Sequence, residues 1–256
     1  MRFGVKRRGR SEEEKLTDLL LLLYLIWNSQ KRGYVILGET KLQKLVFLAE
    51  RQMLGKRYKG FNYNFARLDF GPYSSELKRD LNLLLECNLV IDDPRKGFVV
   101  SRKGEVVLKE VSPLFERYKE FLEIIEEVNE KYAGLSLDEL LELVYSMSRP
   151  LKGARVTIGE VKHRTPLLRR IEERRASKVF RLGVKEQLIL RIVLDPSVEE
   201  WEWRVVDEHK VLVFRMRREG VYSAIVPKLP GCCSQGRTKN QALANVEEAL
   251  RLYLEE

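Results

Sequence analysis

At 256 residues the chain can hold one or two domains and bury a sizeable core. Its formal charge of +9 and pI of about 9.4 favour an anionic partner, nucleic acid first, against the plainer outcome of a mixed, solvated charged surface. Three cysteines, Cys87, Cys232 and Cys233, give no disulfide framework and fit a reducing cytoplasm. The two histidines, His163 and His209, lack metal-ligand spacing to them.

The N-terminal stretch Met1–Arg10 reads as a basic arm. Ser11-Glu12-Glu13-Glu14 follows it without a small-residue cleavage site, so it is not read as a signal peptide. Ser11 with Glu14 forms a capping box for a helix to about Gln30. Its run Leu19–Ile26 is apolar all round, which suits a central buried helix and is too short for a membrane span. Thr40 is expected to cap a second helix over Lys41–Leu54, ended by Gly55. Phe61–Leu68 reads as a strand or extended segment, and Gly71-Pro72 as a turn. A third helix then runs from Ser74 or Ser75 to about Cys87, burying Leu77, Leu81, Leu84 and Leu85. A hairpin over Val90–Val100 and a helix capped by Ser101 come next.

Helix, helix, helix, hairpin is the order of a winged helix. The residues Thr40-Lys41-Leu42-Gln43-Lys44-Leu45-Val46-Phe47-Leu48-Ala49-Glu50, Phe70-Gly71-Pro72-Tyr73-Ser74 and Ser101-Arg102-Lys103-Gly104 resemble the Panacea, or SocA-type, antitoxin family. That resemblance covers roughly residues 11–112 and implies a scaffold that meets toxins, not a catalyst. Helices over Pro113–Tyr132 and Leu137–Met147, the latter capped by Ser136 with Glu139, complete a first domain over residues 11–150.

Residues 151–184 lack apolar periodicity and carry many Lys and Arg, which suggests a basic linker or surface helix. Gln187–Leu194 reads as a strand. So does the stretch around Trp201 and Trp203, with a helix from Pro196 competing. Val211–Arg217 and Val221–Val226 form a hairpin about Glu219-Gly220, broken after Pro227 and Pro230-Gly231. Thr238 with Gln241 opens a last helix whose Ala242, Leu243, Val246, Ala249, Leu250 and Tyr253 share a face.

This last stretch, with Tyr222, Ala224, Pro227 and Leu229-Pro230-Gly231-Cys232 followed by Ser234-Gln235-Gly236 and Thr238, resembles the HicB family of antitoxins. It departs from the family at Arg237, where an acid is common. The family's usual DNA-binding extension lies beyond a helix that here ends at Leu254, so DNA contact is expected elsewhere.

The fold class that follows is α+β: a mainly helical, winged-helix-like N-terminal domain and a small HicB-like domain over residues 185–256. Candidate DNA contacts are Ser74, Ser75, Lys78, Arg79, Arg95 and Lys96, which a third helix and a wing would present together. Candidate partner contacts are Tyr222, Pro230, Cys232 and Gln235. The chain holds no phosphate loop, metal cluster or nucleophile–base spacing, and no cofactor is expected. The HicB fold is related to ribonuclease H, but the carboxylates for two metals are missing between Lys210 and Glu256. The expectation is a cytoplasmic, non-enzymatic antitoxin-like binder of a HicA-like toxin, of double-stranded DNA, or of a second copy. An RNA- or ribosome-associated basic protein is the alternative.

Overall fold

In the computed structural model, residues 9–151 and 154–255 are described, and residues 1–8 of the basic arm lie outside them. Two compact units divide at Arg181/Leu182. The class is α+β, with a helical first unit and a small sheet in the second.

Helix α1 (Glu12–Lys31) opens with the expected capping box and is the axis of the first unit. Every residue from Leu19 to Ile26 is buried, because an all-apolar helix is stable only when covered on every side. Around it lie α2 (Gly38–Gly55) and α3 (Ser75–Glu86), then the hairpin β4–β5 (Val90–Asp93 and Gly97–Val100). Beyond these come α4 (Arg102–Glu110), α5 (Ser112–Arg117), α6 (Lys119–Val128) and α7 (Leu137–Ser146). Short strands β1 (Tyr58–Lys59), β2 (Phe65–Leu68) and β3 (Gly71–Tyr73) join α2 to α3. Gly97 (φ +66°) lets the hairpin close on the chain before α2: Phe98 N donates to Ile36 O at 3.1 Å, and a Cβ on Gly97 would lie 2.1 Å from that oxygen.

Several expectations need correction. Helix α2 starts at Gly38, so Thr40 lies inside its first turn and supplies no cap bond. Of Phe61–Leu68 only Phe65–Leu68 is a strand. The helix expected over Pro113–Tyr132 is broken at Tyr118 (φ −119°, ψ 33°), whose ring packs 4.6 Å from Phe180. It ends in a π turn over Asn129–Ala133, where the Asn129 amide donates to Leu25 O at 2.9 Å.

The largest difference concerns residues 151–184. The hairpin β6–β7 (Ser148–Leu151 and Ala154–Thr157) belongs to the first unit, and the chain then pairs with earlier strands of that unit. Strand β8 (Pro166–Leu168) pairs antiparallel with β2, and β9 (Lys178–Val179) pairs parallel with β1. Leu167 and Phe180 are buried. Residues 154–181 therefore complete the first unit and are not a linker. No local period could announce this, since their partners lie about a hundred residues earlier.

In the second unit Gln187–Leu194 is not a strand. It belongs to helix α8 (Val184–Val193), which buries Ile189, Leu190 and Val193 at helical spacing. The sheet runs β10-β11-β12-β13, all antiparallel: β10 (Val198–Val206), β11 (His209–Met216), β12 (Tyr222–Ile225) and β13 (Cys233–Gly236). Helix α9 (Lys239–Glu255) closes one face. No helix among the described residues is long and apolar enough to cross a membrane.

Candidate partner and nucleic-acid surfaces

The core of the second unit is small and almost wholly aliphatic. Ala242, Val246 and Leu250 of α9 pack on Val211 and Val213 of β11, Ala224 of β12, and Val226 and Cys232 beyond it. Leu243 and Ala249 are partly buried, while Tyr253 is exposed. The helix start differs in detail from a simple box. Thr238 Oγ1 accepts from Gln241 N at 3.2 Å, but the Gln241 side chain reaches back to Arg237 N at 2.9 Å. Asn245 Nδ2 donates to Gln235 O at 2.8 Å, tying helix to strand. Gly236 allows that approach, since a Cβ there would lie 2.4 Å from Ala242 N.

On this frame Pro230 and Gln235 are exposed. Tyr222 is half-buried, and its hydroxyl donates across the sheet to Glu200 at 2.6 Å, which pushes its pKa up. Cys232 is only 4% exposed and belongs to the core, so it is withdrawn as a surface contact. Burial also pushes its thiol pKa up, the opposite of what a nucleophile needs. The exposed thiol of the pair is Cys233.

In the first unit Ser75, Lys78 and Arg79 are exposed on α3, and Arg95 and Lys96 are exposed at the tip of β4–β5. Lys78 lies 3.4 Å from Glu39. The backbone N–H groups of Arg95 and Lys96 both donate to Asp93 Oδ1 at 2.8 Å, which fixes the turn and holds that carboxyl below its usual range. Ser74 is not a surface residue. It is 1% exposed, its hydroxyl caps α3 at Leu77 N, and its backbone is clamped in both directions by the Gln43 amide at 2.9 Å.

What orients α3 is a buried ionic network. The Arg10 guanidinium, expected in a basic arm, is buried between Asp18 of α1 at 2.6 Å and Asp80 of α3 at 2.6 and 2.9 Å. Tyr63 donates to Asp80 at 2.9 Å, and Asn62 N to Asp18 at 2.6 Å. Lys59 joins Glu14 at 2.7 Å to Asn62 and to Ile171 O. Burial pushes Asp18 up to about 8 against the opposing pull of Arg10. Glu50 is also buried with both carboxylate oxygens unpartnered, and desolvation raises its pKa well above the ordinary range. Asp80 thus pins the inner side of α3 while its neighbours Lys78 and Arg79 face solvent. The available signal was a charge interrupting an apolar stripe, as Asp18 does before Leu19 and Asp80 beside Leu81. Among the described residues no group of three or more His, Cys, Asp or Glu could hold a metal ion.

Residues 210–256, which hold the β-hairpin, third strand and packed helix of the second unit, match the family described as "HicB_like antitoxin of bacterial toxin-antitoxin system". Among curated proteins, a UPF0150 protein of Thermoplasma acidophilum is 54% identical over 37 residues, 14% of this chain and 54% of that protein. A UPF0150 protein of Helicobacter pylori is 53% identical over 36 residues, 14% of this chain and 50% of that protein. One of Synechocystis sp. is 49% identical over 37 residues, 14% of this chain and 47% of that protein. The chain spans about half the length of the curated relatives it matches. No solved structure matches it.

Proposed function

We propose that the chain is a non-enzymatic, cytoplasmic antitoxin of a toxin–antitoxin pair. Its HicB-like unit would bind a HicA-like toxin or a second copy through the sheet around Tyr222, Pro230 and Gln235. Its first unit, Panacea-like with a winged-helix order, would contact operator DNA. The observation carrying this reading is the family match over residues 210–256 onto a self-contained sheet and helix. The net charge of +9, with Ser75, Lys78, Arg79, Arg95 and Lys96 all exposed, supports the DNA part.

The toxin part is tested by co-expression with a HicA-like toxin. Full-length protein should restore growth and co-purify with the toxin, and a chain ending at Arg181 should do neither. Rescue by the truncated chain would overturn the assignment. For DNA, a half-site duplex should bind with steep salt dependence. If Lys78 and Arg79 each neutralise one phosphate, replacing both with Ala lowers the slope of log K against log salt by about 2. An unchanged slope removes α3 from the contact.

A further inference from the structure

We propose that the cavity over Lys44 in the first unit is a binding site for a small carboxylate with an apolar body. The site is measured with neither toxin nor DNA, so it stands apart from the antitoxin reading.

The anchor is Lys44 of α2, which is 1% exposed and whose amine donates to Pro72 O at 3.1 Å. An ammonium offers three N–H donors. Among the described residues Lys44 makes no ion pair, and Pro72 O is its one hydrogen-bond acceptor. Burying a charge for a single carbonyl bond costs more than the bond returns. The amine lines a cavity of about 220 Å³, room for roughly seven waters. That cavity is where its other donors find an acceptor.

The walls select the acceptor. Glu39 and Lys78 line the cavity 3.4 Å apart and offset each other. Asp69, also on the wall, lies 3.3 Å from the His163 ring. Lys44 is thus the charge left for a ligand, and one cation matches a monoanion. A phosphate dianion would be repelled by the Glu39 and Asp69 carboxylates. Leu68 and Phe70 supply an apolar wall, and Phe70 is 64% exposed. An apolar wall over a buried cation suits a ligand with one charged end and an apolar body.

Protonated Lys44 is the binding form. Burial pushes its pKa down to about 8 against the pull of Glu39. The other titratable groups facing it are Glu39, Asp69, Tyr73 and Lys78 around the cavity, and Tyr145 of α7 beside Gly71. Desolvation and the Glu39 charge hold Tyr73 above its ordinary range. Affinity should therefore fall about tenfold as pH rises from 7 to 9.

The test is calorimetric titration of the full chain with benzoate. One site per chain should appear at pH 7, with a dissociation constant of about a millimolar or tighter. Benzamide keeps the shape without the charge and should bind about tenfold more weakly or worse. Lys44→Met should weaken benzoate by about tenfold or more, with unchanged circular dichroism. Phe70→Ala alters an exposed side chain, so it probes the site even where Lys44→Met fails to fold. It should weaken benzoate by about threefold or more. A wild type without saturable benzoate binding overturns the proposal. So does equal affinity for benzamide, tighter binding of inorganic phosphate, affinity unchanged between pH 7 and 9, or indifference to every folded variant.

Discussion

The two units are held by different means. The first winds its apolar elements around α1 and buries an Arg10–Asp18–Asp80 network whose members are up to 70 residues apart. The second closes a sheet of sequential antiparallel neighbours under one helix, with an aliphatic core and its ion pairs at the surface. A buried ion network is costly to desolvate and more costly to break than to omit, so it fixes which helices meet rather than adding much net stability. A sheet built from neighbouring strands needs no such device, since its turns and alternation already set the register. The contrast predicts that charge removal wounds the first unit and volume addition the second.

The sharpest way to break this comparison is Asp80→Ala. It strands the Arg10 guanidinium and the Tyr63 hydroxyl and should cost about 3–5 kcal/mol. Calorimetry should show the first unit's transition lowered and the second's unmoved. An equal shift in both would mean that the units do not melt separately.

A pH series sharpens the comparison. Lys44 of α2 is 1% exposed, its amine donating to Pro72 O at 3.1 Å, and burial pushes its pKa from 10.5 down to about 8. The unfolded chain then holds this proton more tightly than the folded one. Lys44's contribution to stability is full above pH 10.5 and is lost as pH falls through 8. Relative to Lys44→Met, the wild type should therefore gain stability as pH rises from 8 to 10, on the order of 2 kcal/mol by denaturant midpoints. A pH-independent difference between the two would contradict the shift.

The last effect falls in the second unit. Gly236→Ala forces a Cβ against Ala242 N and should cost about 1–3 kcal/mol, read in the second unit's transition alone.

Local chemistry wrote much of this fold into the sequence. The capping boxes at Ser11 and Ser136, the cap at Ser74, the hairpin over Val90–Val100 and the C-terminal strands and helix all depend on residues within a few positions of one another. For the same reason the residues that carry the resemblance to the HicB family lie close together in the chain. The sequence also determined which side chains on α3 carry charge outward, because helical periodicity separates Lys78 and Arg79 from Leu77 and Leu81. Only the tertiary structure decided that Arg10 is a buried clamp, that Ser74 and Cys232 are internal, and that residues 154–179 complete the first unit. It also decided that Gln187–Leu194 is helical, since a short apolar run fits strand and helix alike until its neighbours cover one face. In each of these cases the deciding partner lies far along the chain or on another element, where no local period records it.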